Sequence, residues 1–338
     1  ALGAGAQVSG SLQVLQPQTE VSVSVGKTLT LNCTVLGDKV AGPIKWLKES
    51  GGKNETIYDQ KSSWPRVTRV VNSSNANYDI SISNVQVEDA GTYYCVKFRK
   101  GDYRDEVLLS GAGTKVLVYG DPVDVAVSGP AQRVAAGSPA RFTCTARGFF
   151  PSSIQVQWLK NERPLSVLPP QVTAEGTGSS YAMSSAVQLT LAPADVRTRL
   201  SCVVSHATLS AALRSTYNVS AALRVPPTVR LLAKPSSTVE VNKTVNFSCS
   251  AEGFYPAAVT LTWLENDEEV LVEAKSPAET AQGTFELQSS LAVQAVAERN
   301  QSVIACHVVH DSQRPVSSSV TLHVTLPPAE RGPADPSA

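Results

Sequence analysis

Six cysteines and three tryptophans constrain this chain more than anything else in it. The cysteines are Cys33, Cys95, Cys144, Cys202, Cys249 and Cys306. Taken in order they form three pairs with separations of 62, 58 and 57 residues. A tryptophan follows the first cysteine of each pair: Trp46, Trp158 and Trp263, at spacings of 13, 14 and 14. A metal site would want close pairs such as C-x-x-C, and the sequence has none. The plainer alternative is a set of buried free thiols in a cytosolic protein. At 338 residues the chain exceeds one core of ordinary size, so two or three domains are expected.

Three tandem repeats of Cys…Trp…Cys resemble the immunoglobulin-domain pattern, in which the Trp packs on a bridge between two sheets. The resemblance implies bridges Cys33–Cys95, Cys144–Cys202 and Cys249–Cys306. Each would close a loop worth roughly 4 kcal/mol in the chain-entropy model. Such bridges persist in an oxidising compartment. Seven N-x-[ST] sequons agree with secretion: Asn32, Asn54, Asn72, Asn218, Asn242, Asn246 and Asn300. Asn32 lies one residue from Cys33 and Asn246 three from Cys249, so alternation points both away from the core.

The expected fold is all-β, with three immunoglobulin-like β-sandwiches in tandem, one V-set and two C1-set. Residues 1–11 read as a tail outside the fold and 12–119 as a variable-type, ligand-binding domain. Val21, Val23 and Val25 alternate with Ser; Leu29, Leu31 and Cys33 alternate with Thr and Asn. Both runs predict half-buried strands. Glu49–Glu55 reads as a turn, and Ser110–Val118 as the last strand, opening on a Gly-rich bulge. The stretch between Trp46 and Cys95 has room for two extra strands, the variable-type feature. In Asp89-Ala90-Gly91-Thr92-Tyr93-Tyr94-Cys95, the Tyr two before the Cys is placed as a tyrosine corner. Asp89 is expected to pair with Arg66.

Residues 120–226 and 227–326 repeat a second pattern. Gly148-Phe149-Phe150-Pro151 matches Gly253-Phe254-Tyr255-Pro256, and Cys202-Val203-Val204-Ser205-His206 matches Cys306-His307-Val308-Val309-His310. These resemble constant-type domains, with no room for the extra strand pair. The joints Tyr119–Pro122 and Arg224–Pro227 are short and carry proline, so they predict semi-rigid connections. Residues 327–338 are Pro-rich and read as a stalk.

Charge and composition exclude several functions. Lys plus Arg and Asp plus Glu both number 29, so the net charge is zero and no nucleic-acid partner is indicated. No apolar run reaches the ~18 residues of a span, so membrane attachment would come through a C-terminal span beyond this sequence. No cofactor is expected. His206 and His310 occupy one slot of two repeats, which makes them structural. His307 and His310, three apart on a strand, face opposite sides and cannot share a metal. Gly111-Ala112-Gly113-Thr114-Lys115 lacks phosphate-loop spacing. No nucleophile has a base at a recognisable distance, so no enzyme is expected.

One variable-type domain before two constant-type domains also describes part of an antibody chain, which would pair with a partner chain. Against that, Ser110 stands where a pairing aromatic belongs, Trp46-Leu47-Lys48-Glu49 lacks the antibody Gln, and no cysteine is left for an interchain bridge; a monomer is expected. A closer resemblance lies elsewhere. Leu12–Pro17, Gly42–Trp46, Ile57-Tyr58-Asp59-Gln60-Lys61, Pro65–Thr68, the run Tyr93–Gly101, Ser110–Thr114, Arg224–Thr228 and Leu261–Asn266 together resemble the ectodomain of the signal-regulatory proteins, from Leu12 to about Val324. The resemblance implies a cell-surface receptor of single-pass type, closest to the inhibitory member, that binds integrin-associated protein on opposing cells and regulates phagocytosis. The contacts it implies are Gly37, Asp38, Lys39, Val40, Ala41, Gly42, Pro43 and Lys45. Gln60 and Lys61 follow, then Asn72, Ser73, Ser74 and Asn75, then Lys97, Lys100, Gly101, Asp102, Tyr103 and Arg104. Lys39, Lys45, Lys61, Lys97, Lys100 and Arg104 would form a cationic patch for an acidic partner. The chain departs from the family at Asp38-Lys39, at the Asn72 sequon and at Asp102-Tyr103-Arg104.

Overall fold

A computed structural model describes residues 11–176 and 178–327. All but one residue of the tail (1–11) and of the stalk (327–338) expected from sequence therefore lie outside the described residues. All three expected bridges are formed, Cys33–Cys95, Cys144–Cys202 and Cys249–Cys306. Among the described residues there are strands and short 3-10 turns but no α-helix.

In the first domain the strands are β1 (Gln13–Leu15), β2 (Glu20–Ser24), β3 (Leu29–Leu31), β4 (Thr34–Leu36), β5 (Ile44–Ser50), β6 (Lys53–Tyr58), β7 (Val67–Arg69), β8 (Ile80–Ile82), β9 (Gly91–Arg99), β10 (Glu106–Ser110) and β11 (Thr114–Tyr119). One sheet runs β2-β11-β9-β5-β6, with β10 also on β9; a second runs β3-β8-β7. Alternation puts Leu29, Leu31, Ile44, Trp46, Ile80, Ile82 and Cys95 into one core between them. Trp46 Nε1 donates to the Tyr78 carbonyl at 2.8 Å, which satisfies its one polar atom inside.

Three local expectations fail here. The segment Glu49–Glu55 is not a turn: only Gly51-Gly52 turns, both at positive φ (59° and 78°), and the flanks are strand. A two-residue hairpin of this kind needs positive φ twice, and two glycines supply it. Val25 lies in a turn beyond β2 and is exposed, because β2 ends where Gly26 turns the chain. Ser110 closes β10 instead of opening the last strand, which begins at Thr114. The extra strand pair is also reduced: β6 is present, but beyond it only an isolated bridge, Tyr58 to Ser63, remains. Pro65 and the short segment 59–66 leave no length for a second ladder.

Asp89 and Arg66 form a two-pronged pair, with Nη1 to Oδ2 at 2.7 Å and Nη2 to Oδ1 at 2.8 Å. Burial pushes the Asp89 carboxyl up, but the Arg66 guanidinium and the Gln86 amide outweigh it and hold it below the usual range. The Tyr93 hydroxyl donates to the Asp89 carbonyl at 2.5 Å, making the expected tyrosine corner.

The second and third domains each pack two four-stranded sheets and add a two-stranded parallel pair, Val134–Ala135 with Leu223–Arg224 and Thr238–Glu240 with His323–Thr325. Pro139–Phe149 and Ser180–Thr190 centre one sheet of the second domain; Gln155–Lys160 and Arg199–Ser205 centre the other. The third domain repeats this with Thr244–Phe254, Phe285–Gln294, Val259–Glu265 and Val303–His310. Each has one short added strand beside the Trp strand, Arg163–Leu165 or Glu268–Val270, not a pair. Trp158 donates to Ser185 Oγ and Trp263 to Ser289 Oγ, both at 2.9 Å. His206 and His310 are buried and hydrogen-bond the carbonyls of Pro151 and Pro256 at 2.8 and 2.7 Å.

Both joints use one device. Gly120 exchanges backbone hydrogen bonds with Phe150, and Val225 with Tyr255. The Arg224 guanidinium adds a bond to Asp311 at 2.8 Å across the second joint. These paired backbones tie each domain to the next beside the prolines of the joints.

Candidate functional site: the loop end of the first domain

Strand pairing brings four segments together. Ile44 at the start of β5 lies opposite Lys97 near the end of β9, so loop 37–43 and loop 100–105 share one end. Trp46 lies opposite Tyr58, which sends Gln60 and Lys61 to that end as well. A bridge from Thr34 to Asn77 brings the 70–79 loop beside β4. Between the 37–43, 60–61 and 70–79 segments is a hollow of about 530 Å³, lined by Leu36, the 37–42 loop, Gln60, Asn75, Tyr78 and Lys97 among others.

The first loop is clasped onto β9. Phe98 N–H donates to the Pro43 carbonyl at 2.9 Å, and Lys97 Nζ donates to the Gly42 carbonyl. Gly42 sits at φ +140°, where a Cβ would fall 2.0 Å from the Phe98 carbonyl oxygen. Only glycine fits so close an approach.

This clasp corrects the cationic patch. Lys97 is buried at 7 % exposure, and burial pushes its pKa down. It is part of the floor and does not project a charge. Lys45 lies over the Phe98 ring at 4.9 Å and pairs with Asp59 at 3.5 Å, so its charge is answered internally. Arg99 pairs with Glu106 at 2.9 Å. Lys39, Lys61, Lys100 and Arg104 are exposed and in no ion pair among the described residues. Asp38, Asp102 and Asp105 are exposed beside them. Val40, Ala41, Asn72 and Ser73 are exposed; Gly42, Pro43, Ser74 and Gly101 are half-buried; Tyr103 stands fully clear of the surface.

Leu36, 47 % exposed, lines the hollow and was not expected there, although alternation along β4 would have put it outward. Gln16 was missed altogether. Its side chain accepts from Cys95 N–H and Gly113 N–H at 3.1 Å and donates to the Tyr93 carbonyl at 2.9 Å, so it ties the entry of the chain to β9 and β11. Nothing in its flanking sequence marks a hub of bonds to residues so far along the chain.

The arrangement offers shape, exposed charge and exposed apolar atoms, suited to docking a macromolecule. Among the described residues no three His, Cys, Asp or Glu side chains gather to hold a metal. Of the sequon asparagines, Asn54, Asn72, Asn218, Asn242, Asn246 and Asn300 are exposed and Asn32 is half-buried.

The family model described as Immunoglobulin V-set domain matches residues 16–119, and that described as Immunoglobulin C1-set domain matches 125–209 and 229–313. The chain is 41% identical over 330 residues to Tyrosine-protein phosphatase non-receptor type substrate 1 of Bos taurus, covering 96% of this chain and 64% of that one. It is 39% identical over 327 residues to Signal-regulatory protein beta-1 of Homo sapiens, covering 95% and 81%. The rat counterpart of the bovine protein is 38% identical over 321 residues, covering 92% and 62%. The chain thus spans under two thirds of the bovine and rat relatives' length. These are receptors of the immunoglobulin superfamily and not enzymes; the bovine and rat names refer to a substrate of a phosphatase.

Proposed function

Because this chain belongs to the signal-regulatory protein family, we propose that it is the ligand-binding ectodomain of a cell-surface receptor whose first domain docks integrin-associated protein on an opposing cell and so regulates phagocytosis. The observation that carries the reading is the convergence of loops 37–43, 60–61, 70–79 and 100–105 at one end of the domain, the first three around one hollow, with Lys39, Lys61, Lys100 and Arg104 exposed on those loops. Rim cations steer an acidic partner and act mostly on the association rate. Tyr103, with two χ angles and a polar tip, is suited to anchor contact.

The test is surface binding of the whole ectodomain to the ectodomain of integrin-associated protein at two salt concentrations. Lys100→Glu with Arg104→Glu is expected to lower the association rate several-fold and flatten its salt dependence. Lys97 is the wrong probe, because reversing a buried cation would disturb the clasp. Lys160 is equally unsuited as a control, since it pairs with Asp195 at 3.3 Å; the exposed Arg163 serves. Equal rates for the reversed and parent chains would remove the loop-end reading.

A further inference from the structure

The outer face of the large first-domain sheet carries apolar side chains that, among the described residues, no further strand or helix covers. Along β5, Ile44, Trp46 and Lys48 are buried, so Lys45, Leu47 and Glu49 face outward. Cross-strand pairing extends this face: Leu47 lies opposite Tyr94, and Phe98 opposite Val107, which is 61% exposed. A flat face with Leu47, Tyr94, Phe98 and Val107 invites a second sheet. At its margin β6 is an edge strand, since the ladder that would cover it has shrunk to the single bridge at Ser63. An exposed edge of this kind is a pairing hazard that proteins generally block.

The blocking group is written into β6. Its sequence Lys53-Asn54-Glu55-Thr56 holds a sequon on the strand itself. Asn54 lies opposite outward Glu49 and Thr56 opposite outward Leu47. Glu55 points the other way, accepting a hydrogen bond from Trp64 Nε1 at 3.1 Å, and lies opposite buried Lys48. Asn54 is exposed, and no hydrogen bond of its side chain to described residues competes for its amide. We infer that Asn54 carries an N-linked oligosaccharide that covers the β6 edge and the adjoining outer face around Leu47 and Tyr94, closing both to a second copy of this chain. In the transfer, Asn54 Nδ2 forms a bond to the anomeric carbon of an oligosaccharide carried on a lipid diphosphate. The carbon–oxygen bond to the diphosphate breaks, the lipid diphosphate leaves with the electron pair, and Nδ2 loses one proton. The loop end stays open, because Asn54 lies beside the Gly51-Gly52 turn, at the far end of β6 from Gln60.

The experiment secretes the whole chain from glycosylating cells, as parent, Asn54→Gln and Thr56→Ala. Peptide mapping after enzymatic removal of glycans should read Asn54 of the parent as aspartate. Sedimentation should give a monomer for the parent and a concentration-dependent shift toward dimer for both variants. Adding Leu47→Glu to either variant should return it to monomer. The two variants remove the sequon through different residues, so a folding defect in one leaves the other to decide. An unmodified Asn54 in the secreted parent overturns the inference, as does monomeric behaviour of both variants at the highest concentration reached. Dimers that persist with Leu47→Glu would place the association elsewhere and also overturn it.

Discussion

The second and third domains bridge the same two places with opposite charges. Two residues after the core Trp, the second domain has Lys160 and the third has Glu265. Seven residues before the last Cys they have Asp195 and Arg299. Lys160 reaches Asp195 at 3.3 Å; Arg299 reaches Glu265 at 3.5 Å. The repeat therefore keeps a link between the Trp strand and the turn before the strand that carries the second Cys, whichever way the sign runs. The environments are not mirror images. Asp195 is buried and also accepts from Ala192 N–H at 2.8 Å and Thr198 Oγ1 at 2.9 Å. Burial pushes its carboxyl up, and these donors with Lys160 outweigh that and hold it below the usual range. Arg299 is more open, and its guanidinium donates to the Gln294 carbonyl at 3.3 Å instead of accepting from the turn's N–H groups. An acid can accept from a turn's free N–H groups and a cation cannot, so only the acid version satisfies the turn's backbone donors, while the cation reaches one carbonyl through a long bond.

The largest expected effect is at Asp195. Asp195→Ala should cost the second domain about 3 kcal/mol, since it strands buried donors as well as Lys160. Domain-resolved hydrogen exchange would show protection falling across 139–205 while 244–310 stays as before. A loss under about 1 kcal/mol would erase the distinction drawn between the two bridges. Exchanging the signs, with Lys160→Glu and Asp195→Arg together, should recover only a minor part of that loss, because the turn amides remain without an acceptor. Full recovery would mean that the pair's charge, not the cap, holds the turn. Arg299→Ala in the third domain should cost only about 0.5 kcal/mol, as expected of a partly exposed ion pair; thermal unfolding of the single variant measures it.

The buried histidines differ in the same comparative sense. His206 also meets Thr208 Oγ1 at 2.8 Å through Nδ1, whereas His310 Nδ1 has no partner among the described residues. Burial pushes the His310 pKa down; the Pro256 carbonyl and Asp311 act to raise it, and Arg224 and Arg133 to lower it. With the folded value below the unfolded one, the unfolded chain takes up the proton first. Third-domain stability is therefore full above about pH 6.5 and falls as pH drops through the folded value. His310→Gln should flatten that dependence in denaturant titrations between neutral and mildly acidic pH. Asp195, depressed in the fold, makes the second domain lose stability only as pH falls below about 4. A third domain whose stability did not change between pH 7 and pH 5 would contradict the buried neutral imidazole.

Much of this was legible without coordinates because it is periodic or repeated. Cys…Trp…Cys spacing located three cores, G-F-[FY]-P with C-x-V-x-H distinguished the later two domains, and Asp89 with Arg66 announced a pair. Each of these signals depends on residues whose positions a sandwich fixes relative to its own bridge. Lys97 shows where such reading stops. In the sequence it stands among Arg99, Lys100 and Arg104 and looks like one more surface cation. In the fold its β9 neighbour Phe98 lies against Pro43 and Gly42, more than fifty residues earlier, and that close approach buries the ammonium. Gln16 and the shrunken edge beyond β6 were hidden for the same reason. Whether a charge steers a partner or seals a loop depends on which distant backbone carbonyl lies next to it, and only the tertiary structure decided that.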